Sequence, residues 1–148
     1  MFNDPLIRRL AAFVEGVGIR VHAAGSLLPA NFPGLDIQHG AVLIDEERVV
    51  YPGDILHEAG HVAMTEEAKR FALRLEPSGG EELSTLAWSY AATVHLGLGA
   101  ELVFYPASYG GLGTTFVQNF AERQYIGVPL MRRMGMTSEF PRMERWLR

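Results

Sequence analysis

The run DILHEAGHVAM, residues 54–64, decides how this chain is read. It contains His57-Glu58-Ala59-Gly60-His61, the pattern HExxH. Leu56, Ala59, Val62 and Ala63 recur at helical spacing, so the run is expected to form an amphipathic helix. Pro52-Gly53-Asp54 opens it: proline suits a first helical turn, and Asp54 can cap the free amides there. On a helix, residues i and i+4 lie one turn apart on the same face. His57 and His61 can therefore point both imidazoles at one cation. Glu58, turned about 100° from His57, flanks that cation without needing to bind it. Two imidazoles with such a carboxylate suit a zinc ion and a general base for a metal-activated water.

Upstream of this helix the chain reads as a mixture of elements. Leu6, Leu10, Phe13 and Val14 predict a helix over residues 5–15, ended by Gly16 and Gly18. Residues 19–23 read as a short strand and residues 24–40, rich in Gly and Pro, as a loop. The β-prone runs 41–44 and 49–51 flank the polar turn Asp45-Glu46-Glu47-Arg48 and predict a hairpin.

Downstream, a short helix is expected over residues 66–75, then a break at Pro77-Ser78-Gly79-Gly80, then a long buried helix over residues 81–98. Residues 104–115 read as a Gly- and Tyr-rich loop. Phe116, Val117, Phe120 and Ala121 suggest another amphipathic helix. Residues 83–100 carry no Asp, Glu, Lys or Arg, yet their Ser, Thr, His and Gly content is too polar for a membrane span. The basic tail (Arg132, Arg133, Arg142, Arg145, Arg148) reads as a solvated face, and Trp146 and Leu147, read as exposed on a final helix, permit a dimer.

A catalytic zinc usually takes three protein ligands. The longer pattern with a third His six residues on fails, because Met64 and Glu67 occupy its Gly and His positions. No Asp follows Asp54, which leaves a Glu or His95. Glu81 and Glu82 open the long helix. Ser78 and Glu81 fit a capping box, which gives Glu81 a structural task and favours Glu82 as the ligand, with Glu81 as the alternative. His95 lies about 20 Å further along the helix axis and reads as a core or supporting histidine. Tyr105 and Tyr109, in the loop after the ligand helix, are candidate oxyanion donors, as is His95.

The composition sets outer bounds. The 148 residues suit one domain, residues 1–148, and 48% hydrophobic with 20% charged residues is a globular composition. A net charge of −4 argues against a nucleic-acid binder. Without cysteine, any metal must be held by His and carboxylate. Residues 1–10 lack the apolar run of a signal peptide, so a cytoplasmic protein is expected.

HEAGH followed by GGEELSTLAWSYAA (residues 79–92) resembles the zincins, and among them the gluzincins. The hairpin before the helix and the small size are similar to compact bacterial ImmA/IrrE-type zinc peptidases. Leu86 stands four residues after Glu82, where thermolysin-type enzymes place an Asp. The resemblance spans about residues 41–98. It implies an α+β, zincin-like fold with a short antiparallel sheet or hairpin packed on the HExxH helix and a second ligand-bearing helix. It further implies a zinc metallopeptidase in which His57, His61 and Glu82 hold Zn²⁺, Glu58 is the general base, and the substrate is a peptide or protein. Two other functions fit the same residues: a zinc hydrolase of a non-peptide substrate, and a non-catalytic interaction domain with a degenerate or chance HExxH.

Overall fold

A computed structural model describes residues 1–26 and 32–148. Its elements run α1 (Pro5–Gly16), β1 (Arg20–Ala23), β2 (Leu35–Gln38), β3 (Ala41–Ile44), α2 (Asp54–Met64), α3 (Glu67–Arg70), α4 (Gly79–Leu96), α5 (Gly113–Ala121) and α6 (Val128–Arg133). Two short 3-10 turns, Ala100–Leu102 and Ser108–Gly111, lie between α4 and α5. The architecture is α+β: six helices and a three-stranded sheet among the described residues.

The sheet differs from the expected hairpin. Its order is β1-β3-β2, with β3 parallel to β1 and antiparallel to β2. The hairpin is β2–β3: β3 is the strand expected over residues 41–44, while β2 and the turn lie inside the stretch read as a loop. Of that stretch, residues 27–31 lie outside the described residues. Gln38 pairs with Ala41, so the turn is His39-Gly40, with φ of 50° and 72°. Two positive φ values give the turn twist that matches twisted strands. Residues 49–51 cannot pair with β3, which is already paired on both edges. The amides of Arg48 and Val49 instead donate to the Asp45 carbonyl, folding the polar turn on itself, and Val50 is left exposed.

α2 and α4 form the centre of the molecule. Ile55, Leu56, Ala59, Val62 and Ala63 of α2 are fully buried, as are Ala87, Trp88, Ala91 and Ala92 of α4. Gly60 permits the close crossing. A Cβ there would lie 3.0 Å from Thr85 Cγ2 and 3.3 Å from Trp88 Cε3. α4 is buried despite its Ser and Thr hydroxyls because each of these buried ones is satisfied: Ser84 donates to Gly127 O, Thr85 to Glu81 O, Ser89 to Leu86 O and Thr93 to Tyr90 O. Its start is the expected capping box, with Ser78 Oγ accepting from the Glu81 amide and Glu81 accepting from the Ser78 amide.

Three further expectations are corrected. Asp54 does not cap α2; the capping position is Gly53 and makes no side-chain cap bond, while the Asp54 carboxylate turns to another partner. The helix expected over residues 66–75 is only Glu67–Arg70, because Arg70 turns inward and donates to Thr65 O and Arg148 O. The chain's last segment is neither a solvated face throughout nor a helix. Trp146 packs edge-on to Trp88 and Phe13, and its carbonyl accepts from Trp88 Nε1 at 2.9 Å. Arg148 then reaches Met64 O, Glu66 and Glu81, strapping the end of α2 to the start of α4. No helix among the described residues is long and apolar enough to cross a membrane.

Candidate metal centre

Three donor atoms, one each from His57, His61 and Glu82, lie within 4.8 Å of one another. The α2 repeat places both imidazoles on one face, and the close α2–α4 crossing at Gly60 brings the first turn of α4 over them. His61 Nε2 is 3.6 Å from Glu82 Oε2. Glu81, one residue earlier, is engaged by its cap and by Arg148. Its carboxylate therefore has structural partners, whereas Glu82 is half exposed and turned to the histidines.

Electrostatics favours a cation here. Burial, reinforced by His61, pushes the His57 pKa down to about 3, so its ring is neutral at physiological pH. Burial also lowers His61, against the opposing pull of Glu82 and Glu81. The His61–Glu82 pair is thus geometrically an ion pair but chemically a neutral imidazole beside a carboxylate. His61 Nδ1 is buried without a hydrogen-bond partner among the described residues. Such a ring costs free energy, and ligation at its other nitrogen offsets that cost. Two neutral imidazoles and one carboxylate are a donor set that zinc takes. The residues present therefore fit a divalent metal.

Glu58 lines the same cleft, of about 390 Å³, with Asp36 and Ile37 of β2, Arg74, Leu75 and Tyr109. Burial first, then the charges of Asp54, Asp36 and Glu82, push the Glu58 pKa up to about 8. Among the described residues that line the cleft, one guanidinium faces these acidic groups. That guanidinium is Arg74, paired with Asp36 at 2.6 Å.

The two candidate tyrosines separate. Tyr109 lines the cleft, its hydroxyl 2.7 Å from His57 Nδ1. Tyr105 does not line it; its hydroxyl donates to both oxygens of Asp54 at 2.9 and 3.0 Å, and its ring stacks on Tyr51. His95 is at the far end of α4, exposed, against Phe13 and Trp146. It is neither a core residue nor near the other histidines, because the helix is continuous between it and Glu82. The sequence reading did not single out Asp36, Arg74 or the Asp54–Tyr105 tie. Asp36 and Arg74 join the cleft only through tertiary folding, and no local pattern announces them. The Gly110-Gly111 pair after Tyr109 was the one local sign of unusual backbone there. Neither a protein-family profile, nor a curated protein, nor a solved structure matches this chain.

Proposed function

We propose that this chain is a zinc-dependent metallopeptidase with a gluzincin-like arrangement of ligands. The observation that carries the proposal is the convergence of His57 and His61 on α2 with Glu82 on α4, and Glu58 in the same cleft. His57, His61 and Glu82 would hold the ion. A bound zinc would supply an acidified water, of pKa near ~7, and a Lewis acid for the scissile carbonyl, and its charge would draw Glu58 into the carboxylate form. Glu58 accepts the attacking water's proton as oxygen bonds to the carbonyl carbon. It returns that proton to the amine nitrogen as the C–N bond breaks. Among the described residues β2 is an edge strand whose Asp36 and Ile37 line the cleft, and an extended peptide pairing along it would displace the Asp36 and Arg74 bonds to the Ile37 backbone and lie across Glu58.

Elemental analysis of protein purified without chelator tests the ion first, and the expected content is near one zinc per chain. Glu58→Gln should keep the zinc and lower peptide turnover by at least about a hundredfold, the scale of general acid–base catalysis. A chain that takes up no zinc on titration, or a fully active Glu58→Gln, overturns the proposal. Zinc with cleavage of esters but of no member of a peptide library would leave a non-peptide hydrolase.

A further inference from the structure

Tyr109 has a backbone conformation that few bulky residues adopt. Its φ and ψ are 53° and 44°, and Gly110 and Gly111 follow at φ of 67° and 94°. Three consecutive residues therefore lie on the left-handed side, where a large L side chain is strained. An added Cβ at Gly110 or Gly111 would meet nothing within 4 Å, so these glycines serve the turn's conformation and not a tight fit. Strain of this kind persists where the surroundings over-determine it. Here the Tyr109 ring is held against Phe104, Phe116 and His57, and the turn aims its hydroxyl at His57 Nδ1.

Resting on the zinc assignment above, we propose that Tyr109 is a positioning residue for the ligand His57, and not an oxyanion donor. An imidazole binds a cation through one unprotonated nitrogen, and the other nitrogen keeps its hydrogen. With Nδ1 facing the tyrosine, Nδ1–H donates to Oη and Nε2 is left for the ion. A partner of this kind fixes both the tautomer and the plane of the ring. The two histidines are thus held differently. His57 has a hydrogen-bonded support, while His61 Nδ1 has none among the described residues.

The test uses wild type, Tyr109→Phe and Tyr109→Asn, each stripped of metal. Zinc affinity is measured by competition with a chromophoric chelator, the ligand field by the visible spectrum of the Co²⁺-loaded protein, and folding by the metal-free melting temperature. Tyr109→Phe should weaken zinc binding about ten- to a hundredfold and shift the cobalt bands, with the metal-free melting temperature unchanged. Asn accepts the left-handed region but is too short to reach His57. Tyr109→Asn should therefore fold and bind zinc at least as weakly as Tyr109→Phe. Wild-type zinc affinity and an unchanged cobalt spectrum in Tyr109→Phe would overturn the proposal. So would a lower kcat at unchanged affinity, since the hydroxyl would then act on substrate. Wild-type protein that takes up no zinc overturns the metal assignment itself, and this inference with it.

Discussion

Two of the walls that line the cleft differ in construction. One is helical: α2 and α4 cross closely at Gly60, bury a dry face of Ala, Leu and Trp, and carry His57, Glu58, His61 and Glu82 on regular backbone. The other is irregular chain over residues 104–112. There Ser108 Oγ donates to Tyr105 O, and Tyr109 sits in the left-handed region. The helical wall places its groups by periodicity and packing, so stability and site geometry come from the same contacts. The loop wall places its group by strain, so what it does for the site is separable from what it does for the fold. Breaking the helical wall should unfold the protein, while altering the loop wall should leave it folded and change its chemistry.

Trp88→Ala gives the largest expected effect. Trp88 is fully buried in α4, packs on Phe13 and Trp146, and donates its Nε1–H to the Trp146 carbonyl. Removing an indole from such a site costs about 3–5 kcal/mol. Urea unfolding of the metal-free protein measures it. A loss below about 1 kcal/mol would mean that stability does not reside in the α2–α4 wall, and the contrast between the walls would fail.

The second prediction concerns Asp54, which ties the walls together. It begins α2 on the helical side and accepts the Tyr105 hydroxyl from the loop side. Burial pushes its pKa up to about 7 from an ordinary 3.8, with the Tyr105 bond opposing. The folded state therefore holds this proton more tightly than the unfolded chain. The resulting stabilisation is complete below about pH 4 and is lost as pH rises through about 7. His57, with its depressed pKa, works the other way over part of that range, so the measurement must be a difference. Asp54→Asn keeps an acceptor for Tyr105 but removes the titration. Its stability relative to wild type, both metal-free, should climb from pH 4 to 7 and level off above. Parallel stability curves would show that Asp54 does not carry the shift.

These two walls were unequally legible in the amino-acid sequence. The capping box at Ser78 and Glu81 depends on four consecutive residues, and His57 and His61 depend on one helical turn, so local patterns sufficed for both. The preference for Glu82 over Glu81 rested on the cap, and the structure does give Glu81 that task. The hairpin was misplaced because Asp45-Glu46-Glu47-Arg48 has the polarity of a turn between strands, while the actual turn, His39-Gly40, lacks the usual Asn-Gly or Asp-Gly signal. Whether β3 had a free edge depended on β1 and β2 together, which no local window contains. Asp54 has the identity of a cap, but Tyr105, distant in the chain, claims its carboxylate. The reach of Tyr109 to His57 needed a backbone conformation that residue identity argues against. The tail was read by its arginines, and its fold is set by Trp146 finding Trp88. Periodicity and capping speak for the helical wall; the loop wall is written in long-range contacts.

The smallest expected effect sharpens the comparison most, because it sets one tyrosine of the loop against the other. Tyr105→Phe removes the donor to Asp54 but touches neither His57 nor the cleft lining. A hydrogen bond to a charged group contributes about 1.5–3 kcal/mol, and part of that is recovered if Asp54 simply keeps its proton. The loss should therefore be about 1–2 kcal/mol at pH 8, where the wild-type carboxylate is ionised, and smaller at pH 5, where it is protonated. Combined with Asp54→Asn, the two changes should be non-additive, since both alter the one bond between Tyr105 and residue 54, Tyr105→Phe by removing its donor and Asp54→Asn by removing its charge. Zinc affinity should change much less than in Tyr109→Phe. If Tyr105→Phe weakened zinc binding as much as Tyr109→Phe does, the loop would act on the ligands as one rigid unit. Support of His57 would then be a property of the whole segment and not of the Tyr109 hydroxyl. If only Tyr109→Phe does so, two phenols four residues apart divide the work, one fastening the loop to α2 and the other orienting His57.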